Sequence, residues 1–176
     1  MSTALPPTAS LLLGAQEILA RVKSLASEID RRYQGSDFVV LGVLKGAVHF
    51  VSDLLRGMTL DPRIEWVRVE TYANGDCAGQ TPKVVFAGDI DLHGKDLLVV
   101  DDILDRGYTY RALYRELLAR GPRSLRWAFL LAKEGAADRT GLNPDFLGFK
   151  IPEVWVVGYG LDYSERYRNL EGIYSL

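Results

Sequence analysis

The chain has 176 residues, of which 48% are hydrophobic and 25% are charged, which suits the core of one domain predicted to span residues 1–176. Its formal net charge of −2 excludes a global positive field that attracts nucleic acid, and no apolar run approaches the roughly 18 residues of a membrane helix. A single cysteine excludes an internal disulfide and the N-terminus lacks a basic signal-peptide region, so we expect a cytoplasmic protein with neither membrane nor nucleic acid as a partner.

Helical and extended patterns alternate along the chain after a start, residues 1–8, that we expect to be frayed. Apolar residues recur at helical spacing in three segments, 10–33, 46–57 and 109–120. Extended patterns occupy six segments, 37–44, 63–72, 83–86, 96–100, 124–132 and 155–159. The segments 73–82 and 133–150 have loop-like compositions.

Several of the predicted strands are apolar on both faces and alternate with helices. This pattern predicts an α/β fold with a parallel sheet that is covered by helices on both sides. Ligands of such sheets bind beyond the carboxyl ends of the strands. The chemically informative clusters of this sequence follow strand ends, so we expect them to form one site.

The stretch VVDDILDRGYT, residues 99–109, contains a candidate anion site. Its turn, residues 101–108, joins a strand to a helix whose first backbone N–H groups are unpaired and, with the helix dipole, attract an anion. Gly107 lets the backbone approach a phosphate, Thr109 offers a hydroxyl, and Arg106 can add a charge-assisted contact.

The carboxylates of the same stretch need a different ligand from the phosphate. Asp101 and Asp102 can hold the vicinal hydroxyls of a sugar, or magnesium through water. Asp105 is left free to face whatever is attached to the sugar. The segment therefore predicts a sugar-phosphate site, although an acidic N-terminus of a surface helix, with Asp105 acting only on the dipole, is the alternative.

This stretch resembles the phosphoribosyl-pyrophosphate (PRPP) motif of type I phosphoribosyltransferases, and more narrowly that of the hypoxanthine-guanine phosphoribosyltransferases. Four other segments agree in the same order: LKG at 44–46, RVETY at 68–72, LLAKE at 130–134 and VVGYGLDYSERYRNL at 156–170. The resemblance covers roughly residues 37–170. The last segment is the most specific, because the PRPP motif alone is shared by many relatives.

The resemblance implies a type I phosphoribosyltransferase-like fold, with a central, mainly parallel sheet flanked by helices. A small hood would be contributed by about residues 1–12 and 150–176. A mobile flap, the loop 73–82 with Thr71 and Tyr72 at its start, would close over the site and exclude water. The resemblance also implies a homodimer or homotetramer.

For PRPP, the resemblance assigns Asp101 and Asp102 to the ribose hydroxyls. The residues that would wrap the 5′-phosphate are Asp105, Arg106, Gly107, Tyr108 and Thr109. Asp105 would also exchange a proton with purine N7, which fits the change of protonation that the imidazole ring of a purine undergoes when it bonds to C1′.

The pyrophosphate group would meet Lys45 and Gly46, after a peptide bond before Lys45 that is often cis in the family, and Arg168. Without the resemblance, Lys45-Gly46 reads equally well as an ordinary helix start. The implied cofactor is Mg²⁺, which a multiply charged leaving group requires. The metal-linked carboxylates would be Asp162, Asp101 and Asp102.

For the purine, the resemblance implies that Lys133 donates to the 6-oxo group, that Trp155 stacks on the ring, and that main-chain carbonyls near Val156 and Asp162 meet its edge. An ammonium has donors only, so it favours hypoxanthine or guanine and opposes the 6-amino group of adenine. The alternatives are a solvated lysine and a core tryptophan.

Four residues depart from the pattern common among relatives: Ala47, Glu70, Arg106 and Tyr108. Arg106 replaces a hydroxyl residue, Tyr108 is bulky within the turn, Ala47 replaces a second glycine, and Glu70 replaces a basic residue near the flap. None of them removes the aspartate, the lysine or the phosphate turn.

We therefore predict a purine-salvage enzyme that transfers the phosphoribosyl group of PRPP to N9 of hypoxanthine or guanine, giving IMP or GMP and pyrophosphate. One alternative is a xanthine-preferring phosphoribosyltransferase, and another is a non-catalytic regulator of the same fold that binds PRPP, nucleotides or RNA. A generic nucleotide-binding α/β domain is a third, which would not need the segment 156–170.

Overall fold

A computed structural model describes residues 8–70 and 83–176. The strands and helices, in chain order, are β1 (Ser10–Leu13), α1 (Ala15–Tyr33), β2 (Phe38–Leu44), α2 (Val48–Gly57), β3 (Arg63–Glu70), β4 (Lys83–Phe86), β5 (Asp96–Leu104), α3 (Tyr108–Ala119), β6 (Ser124–Lys133), α4 (Ala136–Thr140), β7 (Phe146–Ile151), β8 (Val156–Val157) and β9 (Ile173–Ser175).

A six-stranded sheet in the order β4-β3-β2-β5-β6-β7 forms the centre of the fold. Neighbouring strands are parallel except for β3 and β4, which are antiparallel. Helices α1 and α2 pack with one core cluster, and α3 packs with the other, so both faces of the central strands are buried. This is the mainly parallel, helix-flanked α/β fold that the sequence predicts.

A second, three-stranded sheet in the order β1-β9-β8 joins the two ends of the described chain. Its strands are antiparallel, with Leu13 opposite Ile173 and Val156 opposite Ser175. Leu13, Val156 and Ile173 are buried and belong to the same apolar cluster as α1 and α2. The small sheet is therefore fastened to the main core by side-chain packing.

The predicted helix over residues 10–33 is wrong in its first turn. Ser10–Leu13 is strand β1, and the helix begins at Ala15 after an extended Gly14 (φ −78°, ψ 152°). The leucines of this segment have helical spacing with the residues that follow. Pairing with the distant β9 nevertheless makes them a strand, which is a tertiary effect that local periodicity does not contain.

The strand predicted over residues 96–100 is longer than expected. It continues as β5 to Leu104, because its parallel pairing with β6 runs on through Asp101 opposite Phe129 and Leu104 opposite Ala132. The two aspartates at 101 and 102 thus lie on the strand and not in the turn. Helices α2 and α3 differ from their predicted bounds by one or two residues, the usual uncertainty of helix ends.

The loop predicted over residues 133–150 is also wrong, since it contains α4 and most of β7. Strand β7 pairs with β6 at the sheet edge, and Gly148 allows this approach: a Cβ there would lie 2.3 Å from the Leu130 carbonyl oxygen. The strand predicted at 155–159 is reduced to Val156–Val157, and the sequence patterns gave no sign of β9.

The predicted flap, with Thr71, Tyr72 and the loop 73–82, lies outside the described residues, as do residues 1–7. Within residues 8–70 and 83–176, no helix is long and apolar enough to cross a membrane.

Candidate active site

Two neighbouring cavities open at the carboxyl ends of the parallel strands. The first, which we call the turn cavity, has a volume of about 230 Å³ and is lined by residues 101–110 and Phe129. The second, the tail cavity, has a volume of about 220 Å³. Its lining residues are Asp102, Ile103, Asp105, Lys133, Trp155, Val156, Leu161 and Asp162. Because Asp102, Ile103 and Asp105 line both cavities, one ligand can extend across the two.

The turn cavity is formed where β5 passes into α3. The residue before this helix, Gly107, has φ +72°, a conformation that favours glycine, and no side chain caps the helix N-terminus. Arg111 Nη1 donates a 2.9 Å hydrogen bond to the Arg106 carbonyl oxygen and holds the turn. Tyr108 is 61% exposed, so its bulk does not fill the turn. The first N–H groups of α3 are thus available to an anion.

Asp101 and Asp102, near the end of β5, both line the turn cavity. Asp101 is only 5% exposed, and burial together with repulsion from Asp102 raises its pKa well above the ordinary value. Burial also raises the pKa of Asp102. The Ile103 N–H donates to Asp102 Oδ1 at 2.7 Å. Hydrogen bonds from hydroxyl groups, or a nearby cation, would stabilise the ionised form of these buried carboxylates. A ribose supplies such hydroxyl groups and a metal ion supplies such a charge.

Gly46, two residues after the end of β2, lies directly against Asp102. A Cβ on Gly46 would lie 1.6 Å from Asp102 Oδ2, and a Cβ on Gly160 would lie 2.1 Å from the Gly46 carbonyl oxygen. The Asp102 side chain therefore packs directly on the Gly46 backbone after β2, and the backbone at Gly160, after β8, packs on the other side of Gly46. The Leu44-Lys45 peptide bond is cis, as the resemblance implies.

Lys45 and Arg168, the basic residues predicted to bind pyrophosphate, are bridged by Glu165, which the sequence analysis missed. Glu165 accepts from Lys45 Nζ at 2.9 Å and lies 3.3 Å from Arg168 Nη2. These two cations lower the pKa of Glu165, with Lys45 as the larger cause. Arg168 also pairs with Asp162 at 2.7 Å. Glu165 stands three residues before Arg168 in the most specific motif, so this charge pattern could have been noticed.

Asp105 and Lys133 meet at the border of the two cavities. Lys133 Nζ lies 2.9 Å from Asp105 Oδ2, and the lysine side chain is only 10% exposed, which contradicts the alternative of a solvated surface lysine. Two residues absent from the prediction, Arg139 and Glu153, pair with them. No motif pointed to either residue, because both stand in segments of unremarkable composition.

The aromatic side of the tail cavity contains Trp155. It is 59% exposed, which contradicts the alternative of a core tryptophan, and it packs edge-on against Tyr163 with ring centroids 6.2 Å apart. Val156 is buried beneath the same cavity. An exposed indole at the mouth of a cavity is suited to stacking on a flat ring.

Comparison with known proteins identifies the family. The sequence model of the phosphoribosyl transferase domain matches residues 9–164. The chain is 40% identical to the hypoxanthine-guanine phosphoribosyltransferase of Mycobacterium tuberculosis over 95% of this chain and 85% of that protein. The chain belongs to the hypoxanthine-guanine phosphoribosyltransferase family.

Other members of this phosphoribosyltransferase family agree in sequence and in structure. The hypoxanthine phosphoribosyltransferase of Escherichia coli is 36% identical over 93% of this chain and 92% of that protein. A crystal structure of a Bacillus anthracis hypoxanthine-guanine phosphoribosyltransferase superposes with a TM-score of 0.83 at 34% identity, covering 95% of this chain and 98% of that one. The fold class inferred from the resemblance is thereby confirmed.

The carboxylates of this phosphoribosyltransferase fit a magnesium ion that takes only one or two ligands from the protein. Water and substrate would supply the remaining ligands. Asp102 and Asp162 line the tail cavity together, and Asp101 lies beside Asp102 in the turn cavity. Among residues 8–70 and 83–176, no three His, Cys, Asp or Glu side chains converge as a closed metal site. Mg²⁺ commonly binds through one or two carboxylates plus substrate phosphates, so this sparse oxygen set suits it.

Proposed function

We propose that this protein is a purine-salvage enzyme that transfers the phosphoribosyl group of PRPP to N9 of hypoxanthine or guanine, releasing pyrophosphate. The observation that carries the proposal is the 2.9 Å pair of Lys133 and Asp105 inside the tail cavity. A 6-oxopurine has O6 and N7 on one edge. An ammonium donor beside a carboxylate acceptor complements that edge when N7 carries the proton.

The turn cavity would bind the other half of the reaction. Its helix N-terminus and Thr109 suit the 5′-phosphate, and Asp101 with Asp102 suits the two ribose hydroxyls. The pyrophosphate would then extend toward Lys45-Gly46 and Arg168, where it replaces Glu165 as the anion. C1′ would lie near Asp102, which lines both cavities.

Asp105 would act as the base. As the bond from N9 to C1′ forms and the bond from C1′ to the pyrophosphate oxygen breaks, N7 loses its proton to the Asp105 carboxylate. Trp155 would hold the ring parallel to the cavity wall. Mg²⁺ held by Asp102 and Asp162 would offset the charge that develops on the leaving pyrophosphate.

Lys133 would exclude adenine. Its ammonium carries donors only, and the 6-amino group of adenine would also present a donor, which leaves a buried polar group unpaired.

The family relationship favours a hypoxanthine-guanine enzyme over a xanthine-preferring one and over a non-catalytic regulator. We further propose that the protein is cytoplasmic and forms a homodimer or homotetramer, and light scattering of the purified protein would test the oligomeric state.

A comparison of purine bases tests this proposal. Purified protein would be given magnesium and PRPP with hypoxanthine, guanine, xanthine or adenine, and nucleotide formation followed. We expect IMP and GMP with no AMP. PRPP binding without turnover of any base would support the regulator instead, and XMP as the main product would support the xanthine-preferring enzyme.

A further inference from the structure

We infer that Arg139 and Glu153 are positioning residues that hold Asp105 and Lys133 ready for the purine edge. The inference rests on the proposed function, because it assigns a role around the residues that would read O6 and N7. Neither Arg139 nor Glu153 lines the turn cavity or the tail cavity. They would act on the purine only through Asp105 and Lys133, which do line the tail cavity.

The four side chains form a closed ring of alternating charge. Lys133 Nζ is 2.9 Å from Asp105 Oδ2 and 3.6 Å from Glu153 Oε1. Arg139 Nη2 completes the ring at 2.8 Å from Glu153 Oε2 and 3.7 Å from Asp105 Oδ1. Each charge has two neighbours of opposite sign, and the ring is neutral as a whole.

The two inner members of this ring depend on the outer two because of their burial. Lys133 is 10% exposed, and Asp105 Oδ1 is buried without a hydrogen-bond donor. Arg139 is the cation beside that oxygen. Loss of its charge would leave a buried carboxylate oxygen facing no cation, which favours rotation of the carboxylate or its collapse onto Lys133.

The fold places Arg139 with little freedom. It is carried by α4, which begins after Gly135 and ends before Gly141, both in the left-handed conformation. Arg111 Nη2 donates to the Arg139 carbonyl oxygen at 3.0 Å, and a Cβ on Gly107 would meet Thr140 at 2.5 Å. The short helix is therefore fitted against the same turn that would bind the 5′-phosphate.

Glu153 is placed by the sheet edge. Strand β7 pairs with β6 so that Ile151 lies opposite Lys133, and the Glu134 N–H donates to the Ile151 carbonyl oxygen at 2.9 Å. The chain leaves β7 at this point, and Glu153 follows two residues later, with Oε1 3.6 Å from Lys133 Nζ. The outer acid thus follows directly after an edge strand that the sequence pattern did not reveal.

The ring explains how the inner pair can open toward a ligand. Lys133 and Asp105 alone would satisfy each other and compete with the purine for the same hydrogen bonds. Glu153 offers the ammonium a second anionic neighbour, and Arg139 offers the carboxylate a second cation. When O6 and N7 enter between them, each inner group keeps one ionic neighbour and remains in place.

Neutral, near-isosteric variants test the inference. We expect Arg139→Gln and Glu153→Gln each to lower kcat/KM for hypoxanthine by about tenfold, with the KM for PRPP within about twofold of the parent. Arg115→Gln and Glu17→Gln remove the same charges from exposed positions on α3 and α1 and should behave as the parent. Thermal midpoints should change little, because half-exposed ion pairs add little stability.

Two further variants separate positioning from general structure. Arg139→Lys should recover part of the purine kcat/KM, and the double variant Arg139→Gln with Glu153→Gln should lose less than the product of the single losses, because the two residues act in one ring. Variants that match their controls overturn the inference. So does a rise in the KM for PRPP as large as the loss for hypoxanthine, which would mean that the residues only maintain the fold.

The inference can fail independently of the proposed function. If the parent forms no nucleotide from any base, the proposed function is wrong, and IMP binding measured by calorimetry then reports on the ring. Weaker IMP binding in Arg139→Gln and Glu153→Gln, with unchanged binding in the two control variants, supports positioning. Equal IMP binding in all variants contradicts it.

Discussion

Asp105 is the residue whose environment most resembles that of a reacting group. It lies at the border of both cavities, touches the ammonium of Lys133 and keeps one carboxylate oxygen without a hydrogen-bond donor. That oxygen is buried and faces Arg139 Nη2 at 3.7 Å, so the carboxylate keeps an unused acceptor beside the cavities. Structural carboxylates in the same molecule, such as Asp96, have donors on both oxygens.

Replacing this acid by its amide isolates the proton transfer. We expect Asp105→Asn to lower kcat by about 10²- to 10⁴-fold, because an amide of the same shape does not take the N7 proton. Asp138→Asn, on an exposed position of α4, is the matched control and should retain full activity. Steady-state kinetics with hypoxanthine would decide, and an active Asp105→Asn enzyme would remove Asp105 from the chemistry.

At this scale, the sequence indicates the residues that touch a ligand better than those that support them. Asp105 and Lys133 follow strand ends inside recognisable motifs, and the structure brings them to 2.9 Å. Arg139, Glu153 and Glu165 were missed because the role of each depends on an ion pair with a residue at least three positions away in the chain. A carboxylate or guanidinium in a loop has the same local pattern whether it is paired or solvated.

The elements that hold the site are joined at their opposite ends by a buried acid. At the start of β5, Asp96 accepts hydrogen bonds from the Arg123 guanidinium and, at 2.7 Å, from the Ser124 hydroxyl at the start of β6. The bond from Arg123 is the largest cause that lowers the pKa of Asp96 from 3.8 to about 2. The two central strands are thereby fastened at the end remote from the ligand.

This joint should give a pH-dependent contribution to stability. A carboxylate whose pKa is lowered by folding stabilises the protein above its unfolded pKa of 3.8, and that stabilisation is lost as the pH falls toward about 2. Since Arg123 is 59% exposed and screened by solvent, we expect Asp96→Asn to cost only about 1–2 kcal/mol at pH 7.

Denaturant unfolding of the parent and of Asp96→Asn between pH 7 and pH 2 measures this contribution. The difference in unfolding free energy should be constant at neutral pH and shrink below about pH 4. Asp61→Asn, at an exposed position before β3, serves as the control. A difference that does not change with pH would show that the loss has another origin.

The success of prediction differs among elements for a physical reason. Strands β2, β5 and β6 were found because both of their faces are buried, which makes them continuously apolar. Strands β1, β7 and β9 were missed because they are short and are defined by the strand they pair with. Propensity within a few residues does not contain that information.

At the scale of the whole molecule, one of the two apolar clusters extends beneath both sheets. Ile173, on β9, is fully buried and belongs to the cluster that contains the inner faces of α1 and α2. Its neighbour in the small sheet, Leu13, belongs to the same cluster. We therefore expect the small sheet to unfold together with the main sheet and not before it.

Truncation of Ile173 tests this unity. Ile173→Ala should lower the unfolding free energy by about 2–5 kcal/mol, the usual cost of such a cavity, in a single transition. Leu11→Ala, at a 60% exposed position on the partner strand β1, should have little effect. Circular dichroism and tryptophan fluorescence would be compared during unfolding, and two separated transitions would show that the small sheet is an independent unit.

The direct contact among Gly46, Asp102 and Gly160 has a mechanical consequence. Protein interiors are close-packed and hardly compressible, so strain at one of these contacts is transmitted to the other. A push on the Lys45-Gly46 peptide is passed to the carboxylate of Asp102 and to the chain at Gly160. A shift of the segment that would meet pyrophosphate is therefore expected to move the Asp102 carboxylate, which lines both cavities.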